Sequence, residues 1–242
     1  ENLYKLFLPW YNIRMNTRDR YLEKTIVADL KEKMVFIGGP RQVGKTTLAK
    51  LIGSKNYKNP QYLNWDNRED RKNIIAGSFQ ANADLLVFDE LHKFKNWKNY
   101  LKGIFDKYRN RYAILVTGSA RLDLYRKGGD SLLGRYHHYR LHPFSLVEIN
   151  KNKTVQKPMK ELKFPDKNPG KTAKIFKELF EFGGFPEPLF HKSQKVLRRW
   201  HNDRLDRLIK EDIRDTTVIR DLSGLQVLVE LMEEKAAGQL SV

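Results

Sequence analysis

Gly39-Pro40-Arg41-Gln42-Val43-Gly44-Lys45-Thr46-Thr47 sets two glycines, a lysine and two hydroxyls in the order that cradles a polyphosphate. The glycines let successive backbone N–H groups turn inward onto anionic oxygens, at a helix N-terminus whose dipole favours negative charge. Lys45 then reaches the β- and γ-phosphates, and the Thr46 hydroxyl faces Mg²⁺. A glycine-rich turn that merely contains Gly-Lys-Thr is the bland alternative. The flanks argue against it: Met34-Val35-Phe36-Ile37 reads as a short buried strand, and Thr47-Leu48-Ala49-Lys50-Leu51-Ile52 has helical apolar spacing ending at Gly53.

A second motif supplies the acids. Leu85-Leu86-Val87-Phe88-Asp89-Glu90 is an apolar strand ending in two carboxylates. Asp89 is expected to hold the metal and Glu90 to act as the base that orients and deprotonates water. Alone, this is a common strand end. Paired with the loop at Lys45, it favours hydrolysis by water over phosphoryl transfer to a second substrate. A third apolar strand, from Tyr112 to Val116, ends in Thr117-Gly118-Ser119. Strand carboxyl ends line the crevice of a parallel sheet, so Thr117 and Ser119 should face the same side as Asp89. Ser119 lies farther beyond the apolar run and is the expected sensor of the γ-phosphate. ATP and Mg²⁺ are the implied ligands; the guanine-reading Asn-Lys-x-Asp pattern is absent, which favours adenine.

The elements that position these residues can be read from periodicity. Helices are expected from Tyr21 to Lys31, Arg68 to Ala76 and Trp97 to Tyr108, the last with Trp97, Tyr100, Leu101, Ile104, Phe105 and Tyr108 on one face. Strands are expected at Gln61 to Trp65 and His137 to Leu141. This alternation calls for an α/β fold, a three-layer parallel sheet of the P-loop type, with a small C-terminal helical lid. The expected organisation is an aromatic arm at 1–17, a core at 18–150, a Lys- and Pro-rich linker or insertion at 151–171, the lid at 172–222 and the start of a further region at 223–242. Within the lid, Ala173 to Phe182, a turn at Gly183-Gly184-Phe185-Pro186 and an amphipathic pattern from Val196 read as helical.

The 242 residues carry 46 Lys and Arg against 29 Asp and Glu, a formal net charge of +17. Eight lysines between 151 and 175 face only Glu161 and Asp166. Nucleic acid is a reasonable partner on that ground, although a nucleotide-binding chain is basic near its phosphates in any case. No apolar run is long enough to span a bilayer and no stretch has the layout of a signal peptide, so the cytoplasm is the default compartment. Without cysteine there are no disulfides or thiolate metal sites. The chain starts at Glu1 and stops at Gly238-Gln239-Leu240-Ser241-Val242, which reads as a piece of a longer protein.

The order of these motifs resembles the AAA+ superfamily, in particular its archaeal and bacterial branch related to origin-recognition and STAND-type signalling ATPases. The resemblance rests on Gly39 to Thr47, Leu85 to Glu90 with Leu91-His92-Lys93 following, Thr117-Gly118-Ser119-Ala120, Leu132-Leu133-Gly134-Arg135-Tyr136 and Gly183-Gly184-Phe185-Pro186. It implies that Ser119 is the first sensor and that Arg135 is an arginine finger reaching a neighbouring subunit's γ-phosphate, hence a homo-oligomer. The plainer reading of Arg135 is an ion pair with the final strand. Asn64 is similar in position to the polar residue that restrains the catalytic Glu in many members. Relatives of this kind continue into a winged helix and a nuclease-like domain. The chain departs from the pattern in lacking a clear Gly-x-x-Arg second sensor, for which Arg198 and Arg199 are the available substitutes. His137, His138, His142 and Glu148 do not make a convincing metal site, because adjacent strand residues point to opposite faces. His92, directly after the acids, is read as a helix-start structural residue.

Overall fold

The computed structural model describes residues 19–118, 132–150 and 168–207, with residues 224, 227, 228, 231 and 232. The arm at 1–17, the linker up to 167 and Ser119 lie outside the described residues. The chain divides into two compact units, Glu1–Phe190 and His191–Val242.

In the first unit, five strands form one all-parallel sheet in the order β2-β3-β4-β1-β5: β1 (Met34–Gly38), β2 (Pro60–Asn64), β3 (Leu85–Asp89), β4 (Ala113–Thr117) and β5 (Tyr136–Arg140). Parallel neighbours need crossovers: α1 (Glu23–Asp29) precedes β1, and the helices α2 (Lys45–Asn56), α3 (Arg68–Ala76) and α4 (Trp97–Tyr108) lie between successive strands in the chain. Side-chain parity decides which helices cover which face. Met34, Phe36, Leu86, Phe88, Ile114 and Val116 pack with Ile74 of α3 and with Trp97, Leu101, Ile104 and Phe105 of α4. The alternate positions Val35, Ile37, Leu85, Val87 and Leu115 pack with Leu22, Ile26 and Leu30 around α1 and with Leu48, Ala49 and Ile52 of α2. Near-continuous apolar strands are what a sheet covered on both faces requires.

Packing holds the helices more than propensity does. The four buried side chains of α4 contribute about 1.5–3 kcal/mol each as an upper estimate, against tenths of a kcal/mol per residue of intrinsic preference. Local signals fix the ends of α3: the Asn67 side chain accepts from the amides of Glu69 and Asp70, and a left-handed Gly77 closes the helix.

The expected elements appear with small shifts. β2 ends at Asn64 rather than Trp65, and β5 runs one residue ahead of the expected His137 to Leu141, following its pairing with β1 from Met34 to Gly38. After β5, α5 (Leu146–Ile149) opens on a capping box between Ser145 and Glu148. The helix α6 (Pro169–Phe182) begins four residues before Ala173, because Asn168 caps the Lys171 amide and Pro169 sits in the first turn. It is followed by α7 (Pro186–His191). Phe144, Ile149, Ile175 and Leu189 form a third cluster linking this region. Its approach is close at Gly184, whose carbonyl accepts from the Phe144 amide at 2.7 Å and where a Cβ would lie 2.5 Å from the Phe144 oxygen. The described part of the second unit is the helix α8 (Gln194–Arg207) with short helical stretches beyond it. Among the described residues no helix is long and apolar enough to cross a membrane.

Candidate functional site

The loop between β1 and α2 wraps against the strand end that follows β5. Gly39 is buried with φ 142°, and a Cβ there would lie 2.5 Å from the Leu141 carbonyl oxygen, so only glycine fits. Gln42 and Gly44 are left-handed, at φ 61° and 95°, and Gly44 is the N-cap of α2. As a glycine, this N-cap has no side chain to cap the helix, which suits its first amides to an anion. Val43 is fully buried; Pro40, Arg41 and Gln42 are half-buried, and Thr47 is exposed on the first turn. Lys45 is buried, and its ammonium donates to the carbonyls of Gly39 at 3.0 Å and Pro40 at 2.8 Å, which holds a positive charge over the loop.

Asp89, at the end of β3, is the other half of the site. Its Oδ2 accepts from Thr46 Oγ1 at 2.8 Å and from the Tyr62 hydroxyl at 2.5 Å; its Oδ1 accepts from Thr117 Oγ1. Register explains the convergence. Asn64, Asp89 and Thr117 stand opposite one another on β2, β3 and β4, and Tyr62 stands opposite Val87, on the face that α2 covers. Lys50, one turn after Thr46, places its ammonium 4.2 Å above the Tyr62 ring. Burial, reinforced by the Asp89 carboxylate, pushes the Tyr62 phenol far above its usual range, so it stays protonated and donates.

Glu90 follows in an unusual backbone conformation. Its φ of 57° is left-handed, which costs a non-glycine residue roughly 1–3 kcal/mol and is a recurrent mark of functional positions. Its amide donates to the Thr117 carbonyl at 3.1 Å. Burial, then the neighbouring Asp89 charge, raises its carboxyl above the ordinary glutamate value, while Lys93 and Lys45 oppose the shift. His92 Nε2 and Lys93 Nζ each lie 3.7 Å from Glu90 Oε2. His92 is buried in a short 3-10 turn, Leu91–Lys93, in keeping with a structural place beside the acids.

The hard oxygen set of Thr46 and Asp89 beside a lysine suits a magnesium ion bound with phosphate oxygens. The loop, with its left-handed glycine and uncapped helix start, suits the phosphates themselves.

Other expected residues fall elsewhere. Arg135 makes a two-pronged ion pair with Asp106 of α4, at 2.8 and 3.1 Å, rather than with the final strand. Asn64 Oδ1 accepts from the Asp66 amide, and the Asn64 backbone N–H donates to Asp70 Oδ2. Glu148 pairs with Arg20.

Two residues were missed by sequence reasoning. One is Tyr62; the other is Arg20, whose guanidinium donates to Glu148 Oε1 at 2.9 Å, to the Val43 carbonyl at 3.1 Å and to the His142 carbonyl, while lying 4.1 Å above the Phe144 ring. Arg20 thereby ties the phosphate loop to the segment after β5. Only sheet register for Tyr62, and nothing local for Arg20, could have signalled them.

With this geometry in place, residues 31–150 match the family model described as an AAA domain. That core is an AAA domain. An uncharacterized protein of Methanocaldococcus jannaschii, MJ1544, is 26% identical over 236 residues, covering 90% of this chain and 52% of its own length. The chain thus spans about half the length of the curated relative it matches. Among solved structures, the Thermotoga maritima RuvB Holliday junction branch migration motor is 21% identical, covering 55% of this chain and 49% of its own, at a TM-score of 0.40. The Aeropyrum pernix ORC1 protein, solved in complex with DNA, is 14% identical over 97% of this chain and 76% of its own, at 0.44. A STAND protein with a tetratricopeptide repeat sensor from Pyrococcus horikoshii is 18% identical over 67% of this chain and 28% of its own, at 0.36. Within the AAA domain, the matched stretch holds the loop, both acids, Thr117 and Arg135, whereas Arg20 lies before it.

Proposed function

We propose that the chain is a cytoplasmic, magnesium-dependent ATPase whose hydrolysis cycle moves the lid expected at 172–222 relative to the sheet. The observation that carries this reading is the 2.8 Å hydrogen bond from Thr46 Oγ1 to Asp89 Oδ2, which joins the two sequence motifs at one point beside Lys45. When bound, the magnesium ion would neutralise phosphate charge and orient the terminal phosphoryl group. Backbone N–H groups between Gly39 and Thr47, other than at Pro40, and the start of α2 bind the phosphates, and Lys45 supplies positive charge. Glu90 accepts the proton of the attacking water at a carboxylate oxygen once it is itself deprotonated. Arg135, presented by a neighbouring copy, would offset charge on the transferred phosphoryl, a contribution of roughly a thousandfold or more. Ser119 is proposed as the sensor of the γ-phosphate, with Thr117 committed to Asp89. The net charge of +17 supports testing nucleic acid as a partner.

One observation favours a second reading. Arg135 is held by Asp106 of its own chain, as in a nucleotide-gated switch that binds ATP or ADP and hardly turns over. Steady-state ATP hydrolysis across protein concentrations, with and without DNA, separates the two. A specific activity that rises with concentration and is lost in Glu90→Gln and Arg135→Ala supports the ATPase. Tight nucleotide binding with a rate no different from buffer supports the switch, and Glu90→Gln turning over at the wild-type rate rules out Glu90 as the base.

A further inference from the structure

Asp89 has three hydroxyl donors among the described residues, and they are shared unequally between its oxygens. Thr46 and Tyr62 both donate to Oδ2, and Thr117 donates to Oδ1. An ionised carboxylate offers about four acceptor directions, two on each oxygen. Oδ2 is therefore filled, and Oδ1 keeps one direction. Thr46 is part of the phosphate loop and Thr117 donates to the other oxygen, so Tyr62 is the donor from outside the loop that completes Oδ2. Its ring is placed by β2, where it stands opposite Val87, and the Lys50 ammonium lies 4.2 Å above its face.

We propose that Tyr62 is a positioning residue for the divalent cation: by occupying Oδ2 it makes Asp89 face the cation, or a water bound to it, through Oδ1 alone. The proposal rests on the reading of Thr46 and Asp89 as the magnesium site. Its chemical consequence is selectivity. Mg²⁺ demands compact octahedral geometry and takes single carboxylate oxygens, whereas Ca²⁺ accepts a carboxylate through both oxygens. A carboxylate with one oxygen blocked by a phenol is suited to the smaller ion. A tyrosine that served only to fill space beneath α2 would have no effect on that choice.

Tyr62→Phe keeps the ring and its contact with Lys50 and deletes one donor. A non-hydrolysable ATP analogue is titrated calorimetrically into wild type and variant in EDTA, then in rising MgCl₂ or CaCl₂, with thermal melts as a check on folding. The expected result is unchanged metal-free affinity, an apparent Mg²⁺ affinity about tenfold weaker, and a smaller preference for Mg²⁺ over Ca²⁺. Lys50→Met, which leaves the hydroxyl in place, should keep the wild-type preference. An unaltered Mg²⁺ affinity and preference in Tyr62→Phe overturns the proposal, as does an equal loss of affinity with and without metal, which would mark a packing role. If wild type itself binds the analogue with no dependence on the cation, the magnesium-site reading falls and takes this proposal with it.

Discussion

Replacing Arg20 by Met is the most demanding test of how the phosphate loop is held. The guanidinium gives one hydrogen bond each to Val43, His142 and Glu148, and the Arg20 and Glu148 side chains are each only 4% exposed. Methionine replaces the packing on Phe144 but none of the donors. Breaking a buried ion pair by removing one partner costs about 3–5 kcal/mol, chiefly through the charge left behind. Glu148 keeps donors from the amides of Tyr21 and Ser145, which places the expected loss near the lower end, about 3 kcal/mol. For a unit of this size that corresponds to a drop of roughly 6–12 °C in Tm. Chemical denaturation followed by tryptophan fluorescence, on Arg20→Met, Glu148→Gln and the double variant, gives the coupling between the two. The double variant should be more stable than Arg20→Met alone, because the uncompensated charge is gone. A loss under about 1 kcal/mol for Arg20→Met, or strict additivity in the cycle, would refute the reasoning.

Two further outcomes follow from the site. Glu90 is disfavoured as an anion by burial and by Asp89, so its raised carboxyl pKa withdraws stability as pH rises from the ordinary glutamate value through the folded one; Glu90→Gln should abolish hydrolysis yet raise the Tm at neutral pH, and the acid limb of the wild-type kcat/KM profile should lie above the usual glutamate range. Thermal melts and a pH–rate series check both, and a lower Tm for the variant would contradict the sign. Gly39→Ala should weaken nucleotide binding at least tenfold in a calorimetric titration, because its Cβ would collide with the Leu141 carbonyl and φ 142° is closed to alanine.

The sheet and its helices were legible because their signals are local. The three apolar strands β1, β3 and β4 and the one-sided stripe of α4 need only nearby sequence to be read. The two acids and the loop of the candidate site could be placed on their elements because motif and element coincide. Tyr62 was not, because its role depends on β2 lying beside β3 in a register that no local pattern specifies. Arg20 is harder still: its partner Glu148 is 128 positions away and joins it only after the sheet has brought both ends of the core together. The left-handed backbone of Glu90 is likewise set by its link to Thr117, and a glutamate gives no hint of positive φ.

The third apolar cluster bears on how the molecule can be cut. The AAA match closes at residue 150, but Phe144 and Ile149 just before that point are covered by Ile175 and Leu189 from later in the chain, and the Phe144 amide is paired with Gly184. A recombinant fragment ended at the family boundary would carry a raw apolar wound and an orphaned amide next to its new terminus. A fragment of the first unit that keeps this seam intact therefore extends at least past Leu189.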